Sequence, residues 1–145
     1  MPISMTTTLK QVLTIAGSDS GGGAGIQADI KAMSANGVFA MSVITAITAQ
    51  NTEEVTDVFE IPTSVIAAQI DAVFDDFDVA AVKTGMLSSA AIVETVAKML
   101  KPQQLVNLIV DPVMIAKSGH SLLKPDAIEA VKKQLFPLAL VVTPN

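Results

Sequence analysis

From Gln11 onward, short runs of β-favouring residues alternate with longer stretches of helical periodicity, and no other feature limits the possible folds as tightly. Gln11–Ala16 (QVLTIA) reads as a strand, after which Ile26, Ile30 and Met33 recur at helical spacing until Asn36-Gly37 supplies a stop. Phe39–Thr48 is the next strand, and Val55–Ile61 has the alternation of a shorter, half-exposed one. Pro62-Thr63-Ser64 opens a helix through Phe74, since proline fits a first turn. Asp78–Lys83 reads as a buried strand, and Ser88 and Ser89 cap a helix to about Leu100, before Pro102. Val106–Asp111 is a strand, Pro125 starts a helix to about Phe136, and Leu138–Thr143 is the last strand. There is no internal repeat, linker or low-complexity tract. The pattern predicts an α/β domain, a largely parallel sheet between helix layers, with the final strand left as an open edge.

At 145 residues the chain has the length of one domain, enough to bury roughly two thirds of its unfolded surface. Half of the residues are hydrophobic, yet no apolar run approaches the ~18 of a membrane span. The start, MPISMTTTLKQ, carries one lysine and no apolar stretch of the kind a secretory signal needs. With no cysteine, disulfides and thiolate metal sites are excluded, which fits a reducing compartment, and the cytoplasm is the expected location. The formal net charge is −5 and all nine basic residues are lysines. Without arginine there is no bidentate fork for phosphate or guanine, and only five phenylalanines are available for base stacking, so neither nucleic acid nor membrane is an expected partner. A phosphate bound here must use backbone N–H groups, lysine, a metal, or residues outside this chain.

Open α/β sheets bind ligands beyond the carboxyl ends of their strands, and the unusual residues fall there. Gly17 to Gly25 follows the first strand, Gln50-Asn51-Thr52 the second, KTGML (Lys83 to Leu87) a later one, DPVMIAKSG (Asp111 to Gly119) the next and Pro144-Asn145 the last. Four of the eight glycines lie between Gly21 and Gly25, so something must approach this backbone closely. No Gly-Lys-Ser/Thr follows them, which excludes a Walker A loop. Gly23-Ala24-Gly25-Ile26-Gln27-Ala28 formally satisfies G-x-G-x-x-A, but the acidic residue that a dinucleotide site wants at the end of the second strand is replaced by Thr48-Ala49-Gln50. An amide there donates and accepts side by side, which suits the edge of an aminopyrimidine.

The blocks TIAGSDSGGGAGIQADIKAMSANG, SVITAITAQNT, VKTGML, VDPVMIAKSG and VTPN, in this order and spacing, resemble the hydroxymethylpyrimidine and phosphomethylpyrimidine kinases of thiamine biosynthesis, members of the ribokinase-like superfamily. The resemblance runs from about Leu13 to Asn145. It implies a three-layer α/β/α sandwich, often a homodimer, and transfer of a phosphoryl group from ATP with Mg2+ to 4-amino-5-hydroxymethyl-2-methylpyrimidine and then to its monophosphate. Residue by residue, it places the pyrimidine against Gly17 and the glycine loop, with Gln50 on its edge, Asp29 on its polar groups, and Met86 and Val113 as apolar walls. It gives Asp111 a role in orienting magnesium through water, brings Lys117 towards phosphate, and makes Asn145 the first residue of an Asn-x-x-Glu metal and phosphate motif. The same residues also have plainer readings, Asp29 as a solvated helix carboxylate, Gln50 as a strand-end cap, Met86 as core filling and Lys117 as a solvated loop lysine. His120, the only histidine, reads as a surface loop residue with no chemistry.

Members of that family continue for about as long again, with a late glycine-rich turn that forms an anion hole, a catalytic base beside it, and most of the nucleotide site. This sequence is therefore expected to be the N-terminal part of a single ribokinase-like domain, with its base beyond residue 145. A pyridoxal or pyridoxine kinase of the same superfamily is the nearest alternative, and a non-catalytic aminopyrimidine-binding fragment is an alternative of another class.

Overall fold

The computed structural model describes residues 8–104, 107–113, 123 and 125–144. Among the described residues, six strands form one sheet in the order β3-β2-β1-β4-β5-β6. They are β1 (Gln11–Asp19), β2 (Phe39–Gln50), β3 (Val55–Glu60), β4 (Val79–Thr84), β5 (Leu108–Val110) and β6 (Val141–Val142). All neighbours are parallel except β3, which runs antiparallel to β2. The expected largely parallel sheet is thus present, with β3 and β6 at its edges.

Among the described residues, four α-helices cover the sheet: α1 (Gly25–Ala35), α2 (Thr63–Asp76), α3 (Ala90–Leu100) and α4 (Pro125–Ala130). Because side chains alternate along a strand, Leu13, Ile15 and Val82 face one way while Thr14 and Lys83 face the other. The first set joins Val43, Ile66, Ile70, Val93, Val96, Leu108 and Leu135 in one buried core under α2, α3 and α4. Helix α1 lies against β1 and β2 on the opposite face, where Thr14 and Lys83 meet its Asp29. Each fully buried Leu, Ile or Val contributes about 1.5–3 kcal/mol, so the core face dominates stability.

Two irregularities in β2 shape the strand ends. Ala16 pairs with Ile44 but Ser18 with Ile47, so β2 holds one extra residue opposite Gly17, a bulge of the kind that redirects a strand beside a site. Strand β3 begins to pair with β2 only at Ala46. The free edge at Ile44 is closed by the Gln69 amide of α2, whose Oε1 accepts from the Ile44 N–H at 2.9 Å and whose Nε2 donates to its carbonyl at 3.1 Å.

Several boundaries differ from those read in the sequence. β1 does not stop at Ala16 but continues through Asp19, and β2 continues to Gln50, because their polar ends keep pairing with each other. Helix α2 runs on to Asp76. Within the described residues β5 is only Leu108–Val110. The helix that Pro125 opens keeps α geometry only to Ala130, widens over Val131–Leu135 and tightens over Phe136–Leu138. Pro137 explains this, since its ring and missing N–H cannot fit an α-helical interior. Leu138 consequently lies in that turn, and the last strand shrinks to Val141–Val142. The expected serine caps are also replaced: Ser89 holds the N-cap position of α3 without a capping bond, its hydroxyl 3.3 Å from Glu60 Oε2. The Ser88 hydroxyl is buried without a partner among the described residues. The stop at Asn36-Gly37 is as expected, with Gly37 at φ +76°.

Candidate functional site

The glycine loop is organised by Asp19, at the end of β1 and only 4% exposed. Its Oδ1 accepts the Gly21 N–H at 2.7 Å, and its Oδ2 accepts those of Gly23 and Ala24 at 2.9 and 2.8 Å. Its own N–H donates to Gln27 Oε1 at 2.8 Å, and Gln27 Nε2 donates to Ser18 Oγ at 2.7 Å. Ala24, the N-cap of α1, has no side chain able to cap, so Asp19 supplies the negative charge that a helix N-terminus favours. Gly22 and Gly25 have φ of +75° and +58°, which only glycine adopts without strain. A Cβ on Gly25 would collide with the Gly17 carbonyl oxygen. The close approach that the glycines permit is therefore largely internal, and three of the loop's N–H groups are already spent on a carboxylate.

Next to this loop, Gly17, Met86 and Gln50 stand at or just past the carboxyl ends of β1, β4 and β2. A Cβ on Gly17 would lie 2.6 Å from Met86 Cε, so the thioether methyl rests over the bare backbone. Met86 is held in turn by its carbonyl, which accepts from Thr45 Oγ1 at 3.1 Å. Gln50 is fixed through its main chain: its N–H donates to Ser20 Oγ at 2.8 Å, and that hydroxyl donates to the Gln50 carbonyl at 2.6 Å. Thr48 Oγ1 lies 3.1 Å from Gln50 Oε1 and 2.8 Å from the Ser18 carbonyl. One hydroxyl proton serves only one of these at a time. The Nε2 donors of Gln50, which is half-buried, have no partner among the described residues.

Asp29 sits deeper, on the α1 face. Its Oδ2 accepts from Thr14 Oγ1 at 2.6 Å and its Oδ1 from Lys83 Nζ at 2.7 Å. The same ammonium is 3.5 Å from Asp111 Oδ2, just past β5. Val113 follows, its N–H donating to the Asp111 carbonyl at 2.9 Å. Thus Met86 lies against Gly17, Gln50 is tied to Ser20 and Thr48 beside the glycine loop, and Asp29 and Asp111 meet through Lys83. Lys117, His120 and Asn145 lie outside the described residues.

Sequence reasoning missed Asp19, Lys83 and Thr14. Asp19 is hidden among turn residues, although an aspartate directly before a glycine run is a common acceptor for loop N–H groups. Lys83 had a visible signal, a lone charge in the apolar strand VAAVKT. Among the described residues no group of three or more His, Cys, Asp and Glu residues could hold a metal. Asp111, a single carboxylate beside an ammonium, fits an outer-sphere role towards a hydrated cation but not direct chelation. No described helix is long and apolar enough to cross a membrane. A cavity of about 100 Å³ lined by Leu100, Lys101, Gln104, Leu108 and Leu138 lies at the opposite end of β5, and is smaller than the ~300 Å³ at which ligand pockets begin.

Residues 19–145 match the family model described as phosphomethylpyrimidine kinase. The hydroxymethylpyrimidine/phosphomethylpyrimidine kinase of Haemophilus influenzae is 55% identical over 139 residues, covering 96% of this chain and 52% of that protein. Among solved structures, phosphomethylpyrimidine kinase from Clostridium difficile 630 superposes with a TM-score of 0.89 at 55% identity, over 94% of this chain and 59% of that one. An ADP complex of Bacillus subtilis pyridoxal kinase gives a TM-score of 0.84 at 42% identity, over 95% of this chain and 51% of that one. The chain spans about half the length of the curated relatives it matches.

Proposed function

The chain belongs to the phosphomethylpyrimidine kinase family, and we propose that it forms the N-terminal, substrate-holding part of a single ribokinase-like domain. In this reading the whole protein transfers a phosphoryl group from ATP to 4-amino-5-hydroxymethyl-2-methylpyrimidine and to its monophosphate. The carrying observation is Gln50: an amide whose Nε2 has no partner among the described residues, anchored by Ser20 through both backbone groups at the end of β2. A flat ring seated at these strand ends would lie against the polarisable Met86 thioether that covers Gly17, while the Gln50 amide matches the adjacent donor and acceptor of an aminopyrimidine edge. Val113 is the further apolar wall and Asp29 the carboxylate beneath.

Mg2+ supplies charge neutralisation for the moving phosphoryl group, and Asp111 would orient its water shell, with Lys117 and Asn145 reaching the phosphates. No residue of this chain is assigned as the catalytic base. The cytoplasm is the location in this reading. The exposed Ile47 and Phe59, paired across β2 and β3, together with exposed Val58, support a homodimer formed at this edge.

A pyridoxal kinase is the second reading, favoured by the Bacillus subtilis likeness. The two are separated by supplying the whole protein with Mg-ATP and either alcohol and following phosphorylated product by mass. The proposal expects the pyrimidine to be turned over at higher kcat/KM, and its monophosphate to be accepted as well. Preference for pyridoxal would establish the second reading, and binding of the pyrimidine without transfer would leave a binding module.

A further inference from the structure

We propose that Lys83 is a positioning residue of this site, the cation that holds Asp29 and Asp111 in one fixed arrangement. The proposal rests on the reading of the strand ends as the pyrimidine site. Lys83 stands in β4 between Val82 and Thr84, both fully buried on the core face, so its own side chain is directed to the face of α1. There its Nζ is 2.7 Å from Asp29 Oδ1 and 3.5 Å from Asp111 Oδ2. Three elements, α1, β4 and the segment after β5, are thereby joined by one ammonium.

The charge arrangement needs that ammonium. Two carboxylates bracketing a single Nζ lie within the roughly 6 Å over which like charges disfavour each other, and Lys83 is the only cation that contacts either among the described residues. Lysine suits the position because its compact head carries three donors that reach two acceptors in different directions. Asp29 is fully constrained, one oxygen on Lys83 and the other on Thr14. Asp111 has the longer contact and a side chain 29% exposed, so one end of the pair is anchored while the other faces outward. Lys83 therefore acts through the two aspartates: it sets where Asp29 stands beneath the ring and where Asp111 presents its other oxygen.

The test is calorimetric titration of 4-amino-5-hydroxymethyl-2-methylpyrimidine into the wild type, Lys83→Met, Lys83→Arg, Asp29→Asn and the Lys83→Met/Asp29→Asn pair, with unfolding temperature measured for each. Lys83→Met is expected to weaken binding about tenfold, the loss typical when a group that orients a site residue is removed. In the Asp29→Asn background the same change should cost little more, because the two act as a unit. Lys83→Arg should retain more affinity than Lys83→Met. A purely structural lysine would lower the unfolding temperature in every background without this non-additivity. If Lys83→Met does not fold, Lys83→Gln takes its place. Wild-type binding with an unchanged affinity in the folded Lys83 variant, or with additive losses, overturns the proposal alone. Absence of binding in the wild type overturns the pyrimidine reading and this proposal with it.

Discussion

The glycine loop and the strand ends beside it are neighbours built on opposite plans. In the loop, the N–H groups of Gly21, Gly23 and Ala24 converge on Asp19, and Gly25 is pressed against the Gly17 carbonyl. At the strand ends, Gln50 is held by its backbone while its side-chain donors meet no partner among the described residues, and Met86 rests against Gly17 with nothing but a methyl. The conspicuous segment satisfies itself. The inconspicuous one leaves an amide nitrogen without a partner among the described residues.

The largest effect that would break this contrast is expected at Asp19. Asp19→Ala removes the acceptor of three loop N–H groups and should cost about 3 kcal/mol, less than three fully buried losses because the exposed loop can turn its N–H groups to water. Urea unfolding measures it, and a loss below about 1 kcal/mol would mean that the loop does not depend on its aspartate. Next comes a difference within the loop itself. Gly25→Ala should cost about 2 kcal/mol through its left-handed φ and the collision with Gly17, whereas Gly23→Ala should stay within about 0.5 kcal/mol. Gly23 is exposed, and an added Cβ would lie 3.9 Å from Asp19 Oδ2, an ordinary contact. Equal costs at the two glycines would show that the run works as a flexible tract rather than as two different positions. Away from the loop, Gln69→Ala should cost about 1 to 2 kcal/mol for the two bonds at Ile44, read by the same unfolding experiment.

How much of this was legible follows from the range of each interaction. The alternation of strands and helices depends on local periodicity, and so did the stop at Gly37 and the start at Pro125. The extension of β1 through Gly17-Ser18-Asp19 was not legible, because those residues have turn character and are held in the sheet by β2, thirty residues away in the case of Ser18 and Thr48. Gly17, Gln50 and Met86 were each visible at a strand end, but the bulge that brings β2 to Gly17 was not. Asp29 was singled out without its partners: Lys83 is 54 residues away, and only the order of β1, β4 and β5 in the sheet makes them meet. Ser89 misled for a similar reason, since Glu60, a distant acceptor, competes for the hydroxyl that a local rule assigns to the helix.

The contrast rests in the end on one side chain. Gln50→Ala leaves both Ser20 bonds intact because they are made by the backbone, so the unfolding temperature should not move. Calorimetric titration with 4-amino-5-hydroxymethyl-2-methylpyrimidine should nevertheless show affinity falling by about 1–3 kcal/mol, since polar atoms of the ring lose their partner. Unchanged affinity in a variant as stable as the wild type would contradict the account and return recognition of the ring to the glycine loop.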